Sequence, residues 1–131
     1  MHEVGEDAAG FGIEIRVEVH SEITQEPQNF ARILEYADCP NVVACWNSNP
    51  TDVVSGSVQQ AFALIASKIR AVHLHDLFDA SCPHRELFAL LSAQDYEGFT
   101  LAEIPSSGDP ERVLRYFEAQ WQAYKPSSKQ S

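Results

Sequence analysis

The stretch IEIRVEVH, residues 13–20, alternates strictly between β-branched and polar side chains. A period of two is typical of a β-strand that buries one face. If the β-branched residues face a layer of helices, the charged side chains share the opposite, inner face of the sheet. A carboxylate on an inner face costs free energy unless it is paired or bound to a metal ion. Glu18 is therefore a candidate functional residue, with an ion pair to Arg16 or to a histidine as the alternative.

Three further segments have the pattern of strands, and helical patterns lie between them. The strand-like segments cover residues 41–46, 69–75 and 99–104, and the helical patterns cover 27–36, 57–68, 83–93 and 110–124, with the end of one more helix expected over 1–11. Asp109 and Pro110 supply an N-cap and a first-turn proline for the last helix. Strands that alternate with helices in this way predict parallel βαβ units.

The spacing of the strands favours a barrel. Their midpoints, near Val17, Ala44, Val72 and Leu101, are 27, 28 and 29 residues apart. Units of about 30 residues match the eight-unit barrel of about 250 residues, with a flavodoxin-like open sheet as the alternative. No G-x-G-x-x-G follows a strand, which disfavours a dinucleotide-binding fold. We predict an α/β half of a (β/α)8 TIM barrel, one domain over residues 1–124, with a flexible polar tail over 125–131.

Composition narrows the classes of function. The 131 residues are 44% hydrophobic and 21% charged, as in ordinary soluble domains. No apolar run approaches a membrane span, and the acidic N-terminus lacks a signal-peptide core, so we expect a cytoplasmic protein without membrane contact. A net charge of −10 disfavours nucleic-acid binding. The three cysteines are odd in number and lack C-x-x-C spacing, so we expect reduced, buried thiols without a catalytic role.

Polar side chains stand at the carboxyl end of every predicted strand, where barrels build their active sites. In chain order these residues are Glu18 and His20, Asn47 and Asn49, His73 and His75, and Glu103. His73 and His75 share a face of their strand, so one is expected to be a ligand and the other to hydrogen-bond a neighbour.

Three of these ends resemble motifs of one superfamily. The segment RVEVH, residues 16–20, is similar to the strand that carries the first metal-binding glutamate in xylose isomerase-like sugar isomerases and epimerases. The segment AVHLHD, residues 71–76, resembles the V-H-x-x-D strand of that superfamily. The segment YEGF, residues 96–99, followed by Glu103, resembles its G-Y-x-G turn and last-strand glutamate. The resemblance covers nearly the whole chain and corresponds to strands five to eight of the barrel.

The resemblance implies a divalent metal ion, Mn²⁺, Mg²⁺, Co²⁺ or Zn²⁺, held by one residue from each strand. Carried over, the ligands are Glu18, Asn47, His73 and Glu103. Glu18 and Glu103 would also move a proton on a small sugar by way of an enediolate. The substrate-binding positions would be His20, Asn49 and His75.

Two departures from the superfamily pattern leave alternatives open. Asn47 and Asn49 stand where aspartate is usual and histidine is frequent, and an amide binds these cations more weakly than a carboxylate. The four N-terminal units are absent, so the half barrel is expected to form a homodimer or higher oligomer or to pair with another half, and a gene fragment is an equal alternative. A non-catalytic, self-associating half barrel with a degenerate site is the second hypothesis. A metal-dependent abasic-site nuclease is the third, disfavoured by the few ligands and the charge of −10.

Overall fold

Four parallel strands form one sheet in the order in which they occur along the chain. The computed structural model describes residues 1–126; the predicted tail over 125–131 lies outside the described residues from position 127 onward. The strands are β1 (Ile15–Val17), β2 (Val42–Trp46), β3 (Ile69–Leu74) and β4 (Phe99–Ala102). Each pairs in parallel with the next, as the βαβ pattern predicts. The α/β class and the four parallel units are confirmed.

Five helices connect or flank these strands. They are α1 (His2–Ala9), α2 (Pro27–Ala37), α3 (Gln59–Ile65), α4 (His84–Ala93) and α5 (Pro110–Tyr124), and short 3₁₀ turns cover Pro50–Asp52 and Ala66–Lys68. The predicted cap of α5 is present, because the side chain of Asp109 accepts a hydrogen bond from the backbone N–H of Arg112 at 3.2 Å. Within the described residues, no helix is both long and apolar enough to cross a membrane.

The first strand is shorter than the alternating pattern over 13–20 predicted. Only Ile15, Arg16 and Val17 pair with β2, opposite Val42, Val43 and Ala44. The length of a ladder depends on its partner as well as on its own sequence, so alternation continues in the sequence after pairing has ended. Val19 still faces the helices and is 5% exposed, which keeps Glu18 and His20 on the other face of the sheet.

The hydrophobic core lies between the sheet and the helices. The strands contribute Val42, Ala44, Trp46, Val72 and Leu74, and the helices contribute Phe30, Leu34, Phe62, Ile65, Leu87, Phe88 and Leu91. Burial of an aliphatic or aromatic side chain of this kind stabilises a domain by about 1.5–3 kcal/mol. The opposite face of the sheet has no helical layer among the described residues, and it carries the predicted site.

Helix α1 is held close to the sheet by a glycine and an asparagine. A Cβ atom at Gly5 would lie 2.7 Å from both Cys39 Sγ and Val42 Cγ2, so only glycine fits without a shift of its neighbours. The side-chain amide of Asn41 donates to the carbonyl oxygens of Gly5 at 2.7 Å and Ile13 at 2.9 Å. These contacts fix the entry of the chain into β1.

Candidate metal and substrate site

The seven predicted site residues converge at the carboxyl end of the sheet. Parallel register places Arg16 beside Val43, Cys45 beside Ala71, and His73 beside Leu101, so these side chains share the open face. His73 is one of the predicted residues, and the other six lie two or four positions further along the chain, with the same parity. Four of them meet at interatomic distances below 4 Å: Glu18, Asn47, His73 and Glu103.

His73 joins the two glutamates. Its Nδ1 atom lies 2.6 Å from Glu18 Oε1 and 3.6 Å from Glu103 Oε2. Arg16 does not pair with Glu18; its guanidinium contacts Glu14 Oε2 at 3.2 Å, further down the same face. Of the two sequence alternatives for pairing Glu18, the structure therefore has the histidine. The arrangement places two carboxylates, one from each edge strand, against one imidazole.

Two further histidines stand at the rim. His20 Nε2 lies 3.2 Å from Glu18 Oε1, and His75 Nε2 lies 3.3 Å from Glu103 Oε2. Their side chains are 58% and 38% exposed, against 25% for His73. The two rim histidines are therefore accessible to a molecule that approaches the open face, as a substrate-binding role requires.

Asn47 completes the cluster from β2. The residue is 3% exposed, and one terminal atom of its amide lies 2.8 Å from Glu18 Oε1 and 2.8 Å from Glu103 Oε2. An amide rotated by 180° exchanges its oxygen and nitrogen, so either atom can occupy that position. The two arrangements have different consequences for the site: with the nitrogen inward the amide donates to both glutamates, and with the oxygen inward the three oxygens need a cation or a proton between them.

Asn49 favours the arrangement with the amide oxygen toward the glutamates, whereas the two glutamates favour the arrangement with the amide nitrogen toward them. The Nδ2 atom of Asn49 donates to the carbonyl oxygen of Val19 at 3.2 Å, which turns Asn49 Oδ1 toward Asn47. Asn47 Nδ2 then donates to Asn49 Oδ1 at 3.2 Å and lies 3.2 Å from His20 Nδ1. In the rotated arrangement the oxygen of Asn47 would face Asn49 Oδ1, two acceptors at 3.2 Å, while its nitrogen would donate to Glu18 Oε1 and Glu103 Oε2 at 2.8 Å. Asn49, at 6% exposure, lies directly behind Asn47.

The donor set fits a divalent cation. With its oxygen inward, Asn47 faces two carboxylate oxygens at 2.8 Å, and oxygens this close repel unless a cation or a proton lies between them. Neighbouring oxygen ligands of an octahedral ion, each about 2.1 Å from the metal, lie about 3 Å apart. One ligand atom each from Glu18, His20 and Glu103 also fall within 4.8 Å of one another.

Cys45 is a site residue that the sequence did not single out. Its side chain, 3% exposed, lies on the open face, and its Sγ falls within 4.8 Å of a ligand atom of Glu18 and of His73. Burial, and then the charge of Glu18, raise the pKa of this thiol to about 11. The sequence did contain a signal for it, because Cys45 lies two residues before Asn47 and residues two apart on a strand share a face. The expectation of buried cysteines holds for Cys39 and Cys45, whereas Cys82 is half-buried.

The loop after β2 is held by a buried carboxyl that the sequence also missed. The Oδ2 atom of Asp52 accepts from the backbone N–H of Asn49 at 2.8 Å. Ser48 adopts the left-handed region, with φ of 53°, and its hydroxyl donates to the carbonyl oxygen of His73 at 3.0 Å. Burial raises the pKa of Asp52 to about 7. These contacts fix Ser48 and Asn49, and so help to place the preceding residue, Asn47, in the cluster.

Comparison with known proteins found no matching family model, no matching curated protein and no matching solved structure. The geometry of the cluster therefore carries the functional argument without a relative.

Proposed function

We propose that this chain is half of a (β/α)8 barrel of the xylose isomerase-like kind, and that it catalyses metal-assisted proton transfer on a small sugar or sugar derivative. The observation that supports this most is the convergence of Glu18, Asn47, His73 and Glu103 from four successive strands onto one point. A structural ion pair needs donors from only two strands, whereas the active sites of barrels combine residues from the ends of several strands.

The two glutamates suit acid and base roles. They reach the cluster from opposite edges of the sheet, so a sugar bound between them presents a different side to each carboxylate. One carboxylate takes the proton from the carbon beside the carbonyl, and a proton is returned to the neighbouring carbon. A bound divalent metal, Mn²⁺, Mg²⁺, Co²⁺ or Zn²⁺, would polarise the sugar carbonyl and lower the free energy of the developing negative charge.

In this proposal His20 and His75 orient the substrate. His75 contacts Glu103 with one ring nitrogen, His20 contacts Glu18 with one nitrogen and Asn47 with the other, and both side chains are exposed at the rim. An imidazole can donate to or accept from a sugar hydroxyl, according to its tautomer. Asn49 acts through Asn47, because its side-chain oxygen accepts from the Asn47 amide when the oxygen of that amide faces the glutamates.

A second copy of the chain would cover the open face. Parallel sheets occur almost only with both faces covered, and here Phe99 and Leu101 of β4 are 70% and 44% exposed on the open face. Among the described residues, β1 and β4 each pair with one neighbour, which leaves two edges. A twofold axis along the barrel would join β4 of one copy to β1 of the other and close eight parallel strands.

Solvent hydrogen exchange tests the reaction. In D₂O with Mn²⁺, the protein should place deuterium on the carbon beside the carbonyl of at least one member of a panel of small aldoses and ketoses, measured by loss of that proton signal in NMR. Glu103→Gln should abolish exchange. Glu14→Gln is the matched control, because Glu14 lies on the same face but pairs with Arg16 away from the cluster. Metal-loaded protein that exchanges no member of the panel would contradict the proposal.

The second candidate is a self-associating half barrel with a degenerate, non-catalytic site. The rotated arrangement of Asn47 favours it, because the amide nitrogen would then donate to both glutamates at 2.8 Å and no cation would be needed. A half barrel of this second kind would form an oligomer whose stability is the same with and without divalent metal. Sedimentation equilibrium with and without Mn²⁺, together with a metal titration, separates the two candidates.

A further inference from the structure

Cys45 lies where a metal bound by Glu18 and His73 would meet a sulfur atom. One ligand atom from each of these three residues falls within 4.8 Å of the other two. The Sγ atom of Cys45 has a long contact, 3.8 Å, to the carbonyl oxygen of Trp46, and the residue is 3% exposed. The thiol is therefore a buried, weakly engaged donor directed toward the same two side chains as the rest of the cluster.

Asn47 reaches the same point from the next level of the open face. One terminal atom of its amide, on a residue that is 3% exposed, lies 2.8 Å from an oxygen of each glutamate; as an oxygen this atom is a further ligand for a cation, and as a nitrogen it donates to both carboxylates. Cys45 and Asn47 are two positions apart on the chain, so their side chains approach Glu18 and His73 from successive levels of the open face.

The chemistry of the donors distinguishes between metals. Mg²⁺ takes six oxygen ligands and keeps much of its water, so a thiolate adds little to its binding. Zn²⁺ and Co²⁺ accept sulfur, imidazole nitrogen and carboxylate oxygen together, and Zn²⁺ does so with four ligands in a tetrahedron. A site made of Glu18, Cys45 and His73 leaves one tetrahedral position for water, Glu103 or a substrate oxygen.

We propose that Cys45 is a metal ligand and that the site is selective for Zn²⁺ or Co²⁺ over Mg²⁺. This inference rests on the proposed function, because it takes Glu18 and His73 as ligands. On binding, the S–H bond of Cys45 breaks, the sulfur forms a bond to the metal and the proton passes to the buffer, without oxidation or reduction. Cys45→Ser should weaken Zn²⁺ binding by roughly 100-fold and leave the weaker Mg²⁺ binding nearly unchanged.

Cobalt spectroscopy of the full chain reports on the sulfur directly. A Co²⁺ titration should produce a thiolate-to-cobalt charge-transfer band in the near ultraviolet, together with visible bands of tetrahedral intensity. Cys82→Ser should keep the band, since Cys82 belongs to neither candidate metal group of the described residues. Cys45→Ser should lose it. The wild-type band alone tests the inference if Cys45→Ser does not fold.

The outcomes separate this inference from the proposed function. Co²⁺ that binds wild type with an affinity dependent on Glu18, but without a charge-transfer band, overturns the role of Cys45 and leaves the metal-dependent function standing. A band that persists in Cys45→Ser overturns it as well. No binding of Co²⁺, Zn²⁺ or Mn²⁺ at all overturns the proposed function, and the inference with it.

Discussion

Strand β3 presents two different surfaces. On the face covered by helices, Val72 and Leu74 are 0% exposed, whereas the side chain of His73 between them is 25% exposed on the open face and contacts two glutamates. Apolar burial on one face is the main source of stability. Polar groups on the other face are held against one another at a cost in repulsion and desolvation. The difference indicates that the covered face maintains the fold, and the polar cluster on the open face is the basis of the proposed ligand site.

The largest expected effect comes from a cavity on the covered face. Leu87 of α4 is 0% exposed, so Leu87→Ala should lower the free energy of unfolding by about 2–5 kcal/mol. Leu114→Ala in α5 is the control, because Leu114 is 51% exposed and its loss should change stability by about 0.5 kcal/mol or less. Urea unfolding followed by circular dichroism measures both. Equal losses for the two variants would contradict the assignment of the core to the helix-covered face.

Binding of a divalent metal at the open face should stabilise the folded protein. A ligand present at 100 times its dissociation constant stabilises the folded state by about 2.7 kcal/mol. Wild type and Glu14→Gln should show this gain with Mn²⁺ or Zn²⁺ in a thermal unfolding series, whereas Glu103→Gln should show little of it. If Glu14→Gln and Glu103→Gln lost the gain equally, the ion would be bound by general negative charge instead of by the cluster.

Self-association should depend on the exposed apolar side chains of the open face. Burial of Phe99 in a dimer would contribute about 1.5–3 kcal/mol, so Phe99→Lys should weaken association at least about tenfold. Tyr36→Lys is the control, because Tyr36 is 75% exposed on α2, on the helix side of the sheet. Sedimentation velocity over a concentration series measures the constants. A monomeric wild type, or equal effects of the two variants, would contradict closure of the barrel by a second copy.

The smallest expected effect concerns the loop that joins the two faces. The pKa of Asp52 is raised from 3.8 to about 7 in the folded protein, so the folded protein binds this proton more tightly than the unfolded chain does. Its contribution to stability is complete below pH 3.8 and is lost as the pH rises to about 7. Asp52→Asn keeps an oxygen for the backbone N–H of Asn49 but has no proton to lose. The variant should therefore gain about 1–2 kcal/mol relative to wild type between pH 5 and pH 8. A difference that is constant with pH would show that Asp52 does not titrate in this range.

Periodicity was sufficient to predict the covered face and the general position of the site. The alternation over 13–20 places Val19 on the helix-covered face and Glu18 on the open face, although only Ile15–Val17 pair with β2. What periodicity does not contain is distance between strands. The contact of His73 with Glu18, the contact of Asn47 with Asn49, and the approach of Cys45 to Glu18 all depend on how the chain segments are placed against one another. The hydrophobic pattern fixes the face that each side chain takes, but a shift of two residues keeps every face, so the pattern leaves these distances open.

Titration of Mn²⁺ into wild type, Asn47→Asp and Asn47→Leu tests most directly whether the cluster at the carboxyl end of the sheet is a cation site. If the oxygen of Asn47 faces the cation, a carboxylate there should tighten binding about tenfold and leucine should weaken it about tenfold, measured by calorimetry. Without metal, Asn47→Asp should be less stable than wild type, because a third carboxylate joins Glu18 and Glu103. A wild type that binds no divalent ion, with an Asn47→Asp that is destabilised and equally unable to bind one, would contradict the account.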